Sequence, residues 1–130
     1  MKIKLYCIFA KESILKMGGN RGKMSAQAGH AYLHSFWNAL DNDADNDKFI
    51  QAKSYQNRTG DGYAYKIALI VDTVDELKLL QEKYKDICGT SLVTDAGFTV
   101  FNEPTTTCLG IGPIREDNIG DDIKSLKTFC

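Results

Sequence analysis

The apolar run Ile67-Ala68-Leu69-Ile70-Val71 ends two residues before Thr73-Val74-Asp75-Glu76. Five apolar residues in a row, with no polar alternation, suit a strand covered on both faces. Thr-x-x-Glu is a capping box: the threonine hydroxyl accepts from a first-turn N–H while the carboxylate reaches back to the chain entering the helix. Val74, Leu77, Leu80, Tyr84 and Ile87 then recur at helical spacing, and Gly89 stops the helix. A strand buried on both faces that feeds a helix belongs in a sheet lying between helical layers.

The rest of the chain repeats the theme. Residues 2–10 read as another strand, with Ile3, Leu5, Cys7, Ile8, Phe9 and Ala10 apolar. Residues 11–22 read as a loop ending in Gly18-Gly19-Asn20-Arg21-Gly22, and a helix follows from Lys23 to about Leu40. The small side chains of Ser25–Ala31 would let that helix approach the sheet closely. Asp41–Asp47 is a solvated acidic loop, Lys48–Gln56 a short helix and Arg58–Gly62 a turn. Thr90–Thr94 and Thr107–Ile111 are the third and fourth strands, too close together for a crossover helix and so antiparallel neighbours. Asp117–Phe129 reads as a closing helix with Ile119, Ile123, Leu126 and Phe129 on one side. These elements predict a single α/β domain over residues 1–130. It has three layers, α/β/α, with helices on both faces of a mixed four-stranded sheet that is mostly parallel, its last strand antiparallel. At 130 residues such a domain buries about two-thirds of its unfolded surface, enough for a core without staples.

Charge and cysteine content narrow the function classes. The net charge is -1, which excludes a whole-molecule basic field for non-specific nucleic-acid binding. Locally the balance is uneven. Residues 1–30 hold Lys2, Lys4, Lys11, Lys16, Arg21 and Lys23 against Glu12 alone, and three of these bases flank the glycine-rich turn, as a local anion site would require. Cys7, Cys88, Cys108 and Cys130 are far apart in sequence and form no C-x-x-C motif, so free thiols are expected, buried except for Cys130. No stretch approaches the ~20 apolar residues of a membrane span, and Met1-Lys2-Ile3-Lys4-Leu5 lacks a signal-peptide core. The expected address is the cytoplasm, with no membrane partner.

Three segments can carry chemistry. Gly18-Gly19-Asn20-Arg21-Gly22-Lys23-Met24 fails the P-loop pattern, because Met17 stands at the first glycine position and Met24 at the hydroxyl position. What remains is a glycine-rich turn feeding a helix N-terminus, with free N–H groups and a lysine, suited to a phosphate or a developing oxyanion. An ordinary flexible loop would read the same way. Asp95-Ala96-Gly97 follows the third strand, at the carboxyl end where open α/β sheets place ligands, and is equally a plain turn. Pro104…Thr107-Cys108-Leu109-Gly110-Ile111-Gly112-Pro113 reads as a loop, an edge strand and a stop. Metals find little support. Asp41–Asp47 has Asn46 and Ala52 where a calcium loop needs Gly and Glu, and the His30/His34 pair lacks a third ligand. No metal or other cofactor is expected.

Taken together, Lys16-Met17-Gly18, Gly22-Lys23-Met24-Ser25-Ala26-Gln27-Ala28-Gly29-His30-Ala31, Asp95-Ala96-Gly97-x-Thr99 and Pro104…Thr107-Cys108-Leu109-Gly110-Ile111-Gly112-Pro113 resemble the type 2 peptidyl-tRNA hydrolases, the archaeal and eukaryotic kind. Order and spacing agree over about residues 3–40 and 63–113, while the glycine turn is longer than the family's K-M-G-K-G-K and Asp41–Gly62 has no counterpart. The resemblance implies the same mixed four-stranded sheet, and hydrolysis of the ester joining a peptide to the 3′ ribose of tRNA. It implies Lys23, Asp95, Thr99 and Thr107 as catalytic positions. Asp95 is the base or water-orienting group, Lys23 the oxyanion or phosphate partner, and the two threonines contact the ester or the water, the nucleophile being either that water or Thr99 itself. Lys16, Arg21, Gln27 and His30 are the substrate-binding candidates, Gln27 and His30 being equally readable as helix–sheet packing. The implied partner is peptidyl-tRNA, and a homodimer is compatible with the chain. The alternative function is a non-catalytic tRNA- or protein-binding module on the same fold, to be told apart by whether N-blocked aminoacyl-tRNA is cleaved.

Overall fold

The computed structural model describes residues 2–58, 63–97 and 103–129. Its five-stranded sheet has the order β3–β4–β1–β2–β5, with β1 Ile3–Ala10, β2 Tyr65–Val71, β3 Thr90–Asp95, β4 Thr105–Arg115 and β5 Lys127–Thr128. β1 and β2 pair in parallel, Ile8 opposite Leu69, and β4 is antiparallel to β1 on one side and β3 on the other. β1, β2 and β3 therefore run one way and β4 the other, the directions expected. β3 nevertheless has no parallel neighbour, because β4 inserts between it and β1.

The fifth strand corrects the expected four. Only Asp121–Lys124 of the closing segment is α-helical, after a 3-10 turn at Glu116–Asn118. Lys127 and Thr128 then pair with Ile70 and Leu69, and the Phe129 N–H donates to the Ala68 carbonyl at 2.9 Å. The outer edge of β2 carries backbone groups that need partners, and a single turn is enough to bury Ile119 and Ile123. Those two needs outweigh the helical periodicity. A second correction lies at residues 11–16, which form helix α1 (Lys11–Lys16) instead of a loop. Six residues cannot hold a helix alone. Tertiary bonds fix this one: buried Ser13 donates its hydroxyl to the Thr106 carbonyl at 2.5 Å, and Glu12 accepts from the Val74 N–H at 2.9 Å.

Strand alternation divides the core between two layers. Tyr6, Ile8 and Ala10 of β1 face α4 (Val74–Tyr84), packing with Leu77, Leu80 and Tyr84. Leu5, Cys7 and Phe9 face α2 (Arg21–Leu40) and α3 (Asp47–Gln56). Cys7, Cys88 and Cys108 are free and buried, as expected; Cys130 lies outside the described residues. α2 rests on its small side chains, with Ala31, Ser35 and Ala39 buried. A Cβ on Gly110 of β4 would stand 2.2 Å from the Ala31 carbonyl oxygen, so only glycine admits the helix here. The close approach is thus made at Ala31, Ser35 and Ala39, whereas Ser25, Ala26 and Gly29 of the stretch expected to pack on the sheet are exposed.

Candidate active site

The C-terminal ends of β1 and β3 lie at the same end of the sheet, and the turn leading into α2 sits there too. Gly18 and Gly19 turn the chain with φ of 60° and 78°, the left-handed region that side chains resist. Asn20 then caps α2, its Oδ1 accepting from the Lys23 N–H at 2.9 Å. That cap starts the helix at Arg21, two residues before the expected Lys23, and makes Lys23 its third residue. From there the Lys23 ammonium forms an ion pair with Asp95, the last residue of β3. Their side chains are only 16% and 9% exposed, so water screens the pair weakly.

Asp-Ala-Gly is shaped by two constraints. Asp95 Oδ1 accepts from the Gly97 N–H at 2.8 Å, which folds the chain back in an Asx turn. Gly97 has φ of 89°, and a Cβ there would lie 2.7 Å from the Glu103 carbonyl carbon, which is backbone and cannot step aside. The hydrogen bond from Lys23, then that from the Gly97 N–H, hold the Asp95 carboxyl below the usual carboxylate range, against the opposing effect of burial. Asp95 is therefore an anion at neutral pH.

A β-bulge supplies the next part. Val93 pairs with Cys108 but Thr94 with Thr106, leaving Thr107 as the extra residue of β4. The bulge lets Thr107 and Cys108, neighbours in sequence, both turn toward α2. Thr107 is fully buried and donates its hydroxyl to Gln27 Oε1 at 2.7 Å, while Cys108 Sγ contacts the Gln27 carbonyl at 3.5 Å. Gln27, His30, His34 and the stretch Ser91–Ala96 line a cleft of about 430 Å³ beside Asp95. A second cleft of about 490 Å³, on the opposite flank of α2, is walled by Leu5, Tyr32, Phe36 and Tyr55 and brings no carboxylate or imidazole among the described residues. The chemistry gathers in the first.

Of the residues singled out in the sequence, Lys23, Gln27, His30, Asp95 and Thr107 come together. Lys16, ending α1, and Arg21, opening α2, are exposed on the connecting turn. Thr99 lies outside the described residues. His34 belongs to the cleft as well, although the sequence suggested it only as half of a zinc pair. Among the described residues no three His, Cys, Asp or Glu side chains gather as metal ligands, and no helix is long and apolar enough to cross a membrane.

Residues 4–129 match the family described as Peptidyl-tRNA hydrolase PTH2. The chain belongs to this family. Among curated relatives, a protein named peptidyl-tRNA hydrolase from Methanothermobacter thermautotrophicus is 36% identical over 119 residues, covering 88% of this chain and 93% of the relative. One of the same name from Methanopyrus kandleri is 32% identical over 77% of this chain and 78% of its own length. Another, from Saccharolobus islandicus, is 32% identical over 92% of this chain and 97% of its own. The family match takes in both halves of the site, the start of α2 and the β3–β4 segments.

Proposed function

We propose that the chain hydrolyses the ester between the peptide, or an N-blocked amino acid, and the 3′ ribose of tRNA, freeing both. Family membership supports the reaction, and the observation that carries the site is the shielded Lys23–Asp95 pair at the mouth of a strand-end cleft. Ester hydrolysis needs a positioned water and a stabilised tetrahedral oxyanion. A carboxylate held below its ordinary pKa is a weak base but a strong hydrogen-bond acceptor, so Asp95 orients the attacking water and shares its proton as the bond to carbon forms. Lys23 shifts from Asp95 toward the carbonyl oxygen as that oxygen gains charge. The carbon–O3′ bond then breaks, and the ribose oxygen leaves with the proton that Asp95 took from the attacking water.

In this scheme Gln27 offers its amide to the ester from the cleft wall, and Thr107 is a positioning residue that fixes the amide's orientation. His30 lines the leaving-group side. Thr99 keeps the ester- or water-contacting role that the resemblance implies. Lys16 and Arg21 hold tRNA phosphates outside the reacting centre. Such a substrate fits a cytoplasmic address. The test is incubation with N-acetyl-aminoacyl-tRNA and with its unblocked counterpart. Cleavage of the blocked substrate with the unblocked one spared is expected, and failure to cleave either refutes the proposal.

A further inference from the structure

On α2 the residues Lys23, Gln27, His30, His34, Trp37 and Asp41 follow one another at spacings of four and three, so they form a single ridge along the helix. The middle of the ridge is aromatic and faces water. The His30 and His34 rings meet edge to face with centroids 5.3 Å apart, and His34 stacks on Trp37 at 5.4 Å and 18° between planes. Both histidines are exposed, and Trp37 is 54% exposed. The helix does not use these rings for packing, since it seats itself on Ala31, Ser35 and Ala39. The Asp95 cleft continues directly along them: His34 and Ser91 wall both it and an adjoining trough lined by Trp37, Asn38, Asp41 and Thr90.

We infer that this trough is a stacking platform for the unpaired 3′-terminal nucleotides of the tRNA, which places the last base near His30 and the preceding bases on His34 and Trp37. The inference rests on the proposed function and extends it to a specific subsite. Every nucleobase offers a π face, so exposed aromatic rings hold single strands without demanding a sequence. A duplex has its base faces already stacked and gains nothing here. The platform is also short. From Lys23 to Trp37 the helix rises about 20 Å, room for a few nucleotides only. Asp41 closes the far end of the trough and Asp43 and Asp45 follow it, and their charges turn phosphates away. The acidic loop thereby limits the platform to the unpaired nucleotides and turns the strand off the helix after Trp37.

Trp37 is the only tryptophan in the chain, so its fluorescence reports the platform directly. The full-length protein is titrated with the trinucleotide CpCpA, with a blunt RNA duplex and with an N-acetyl dipeptide amide. Saturable quenching by the trinucleotide, absent with the duplex, is expected, and His34→Ala should weaken it. In turnover, Trp37→Ala should raise KM for N-acetyl-aminoacyl-tRNA about tenfold with kcat unchanged, Trp37→Phe should restore it, and the N-acetyl-aminoacyl ester of adenosine alone should be cleaved equally by all three proteins. Equal quenching by the duplex, or an unchanged KM in Trp37→Ala, overturns the inference. Quenching by the dipeptide but not the trinucleotide assigns the trough to the peptide and overturns it too. Trinucleotide quenching in a protein that cleaves no ester supports the platform while refuting the hydrolase reading, so the two failures are distinguishable.

Discussion

If Lys23 and Asp95 act as one unit, removing both should cost no more than removing the more important one. The perturbation is a double-mutant cycle with Asp95→Asn and Lys23→Met. Asparagine keeps the oxygen that accepts from the Gly97 N–H and deletes only the charge. A positioned base or water-orienting group is worth about 10²–10⁴ in rate, and a donor to the oxyanion about 10²–10³. Independent contributions would multiply, giving about 10⁴–10⁷ for the double variant by the same figures. With the ammonium in contact with the carboxylate, each residue sets the other's position and charge, so the double variant should match the worse single. Stability supplies an internal control. Each single substitution strands a charge among groups only 16% and 9% exposed, whereas the double strands none, so its melting temperature should exceed those of both singles. Single-turnover hydrolysis of N-acetyl-aminoacyl-tRNA and thermal unfolding are the assays. Losses that multiply, together with a double variant less stable than either single, would show two independent residues and refute the shared role.

Five further outcomes follow from the same geometry. Because the folded Asp95 carboxyl is held low, its contribution to stability is complete above the unfolded carboxylate value of about 3.9 and is lost as pH falls through the lower folded value. Urea melts of wild type and Asp95→Asn should therefore converge at the acid end, and a gap that persists there sinks the assignment. Thr107→Val leaves Gln27 Oε1 without its donor and should cost about 1–3 kcal/mol in chemical denaturation, with Thr107→Ser recovering most of it. Gly97→Ala must relieve both a positive φ and a 2.7 Å backbone clash, so it should destabilise by roughly 1–3 kcal/mol and lower kcat by displacing Asp95; an unimpaired variant would contradict that turn geometry. Arg21→Ala should raise KM for tRNA at constant kcat, because a phosphate contact is equal in ground and transition states. The salt dependence of wild-type tRNA binding should correspond to about two to four ion pairs, and independence from salt would remove the phosphate role.

Sequence patterning revealed the layers, and local chemistry revealed where two of the three site segments sit. The Thr73 capping box forms as read, with Thr73 accepting from the Glu76 N–H at 3.3 Å, because its determinants lie within one turn. The Asp-Ala-Gly turn is equally local. What escaped depends on long-range pairing. Helix α1 exists because Ser13 finds Thr106, 93 residues away, and β5 because the edge of β2 needs covering. The bulge at Thr107 leaves no mark in a run of three threonines, since it is set by register against β3. Thr107 is legible as a candidate through resemblance alone, and its hydrogen-bond partner Gln27 also through helical spacing from Lys23. The ridge from His30 to Trp37 lies in the same spacing, but weighing His30 and His34 only as zinc ligands, and rejecting them, leaves the stack that Trp37 completes unread.

The topology explains why three segments so distant in sequence can share one site. β4 lies between β1 and β3, so the strand that carries Thr107 also joins the strand end bearing Asp95 to the strand that launches α1 and α2. α2 crosses the β4–β3 side of the sheet close enough for its first turn to reach Asp95 and its second to reach Thr107. Its two ends then carry opposite charge, with exposed Lys16 and Arg21 around the start and Asp41, Asp43 and Asp45 after the end. Twenty residues of helix separate them by about 30 Å, several times the ~8 Å screening length at physiological salt. The two ends therefore act on a polyanion separately. On the proposed reading, the 3′ ester is held beside Lys23, the unpaired end runs along α2 to Trp37, and the acidic loop turns the acceptor stem away from the helix beyond that ring. Reversing the acidic end with Asp43→Lys and Asp45→Lys, both exposed and far from the cleft, should then let blunt duplex RNA compete with tRNA where the wild type excludes it. Unchanged competition would mean that the approach is set by shape, and that the charge gradient along α2 has no part in orienting the substrate.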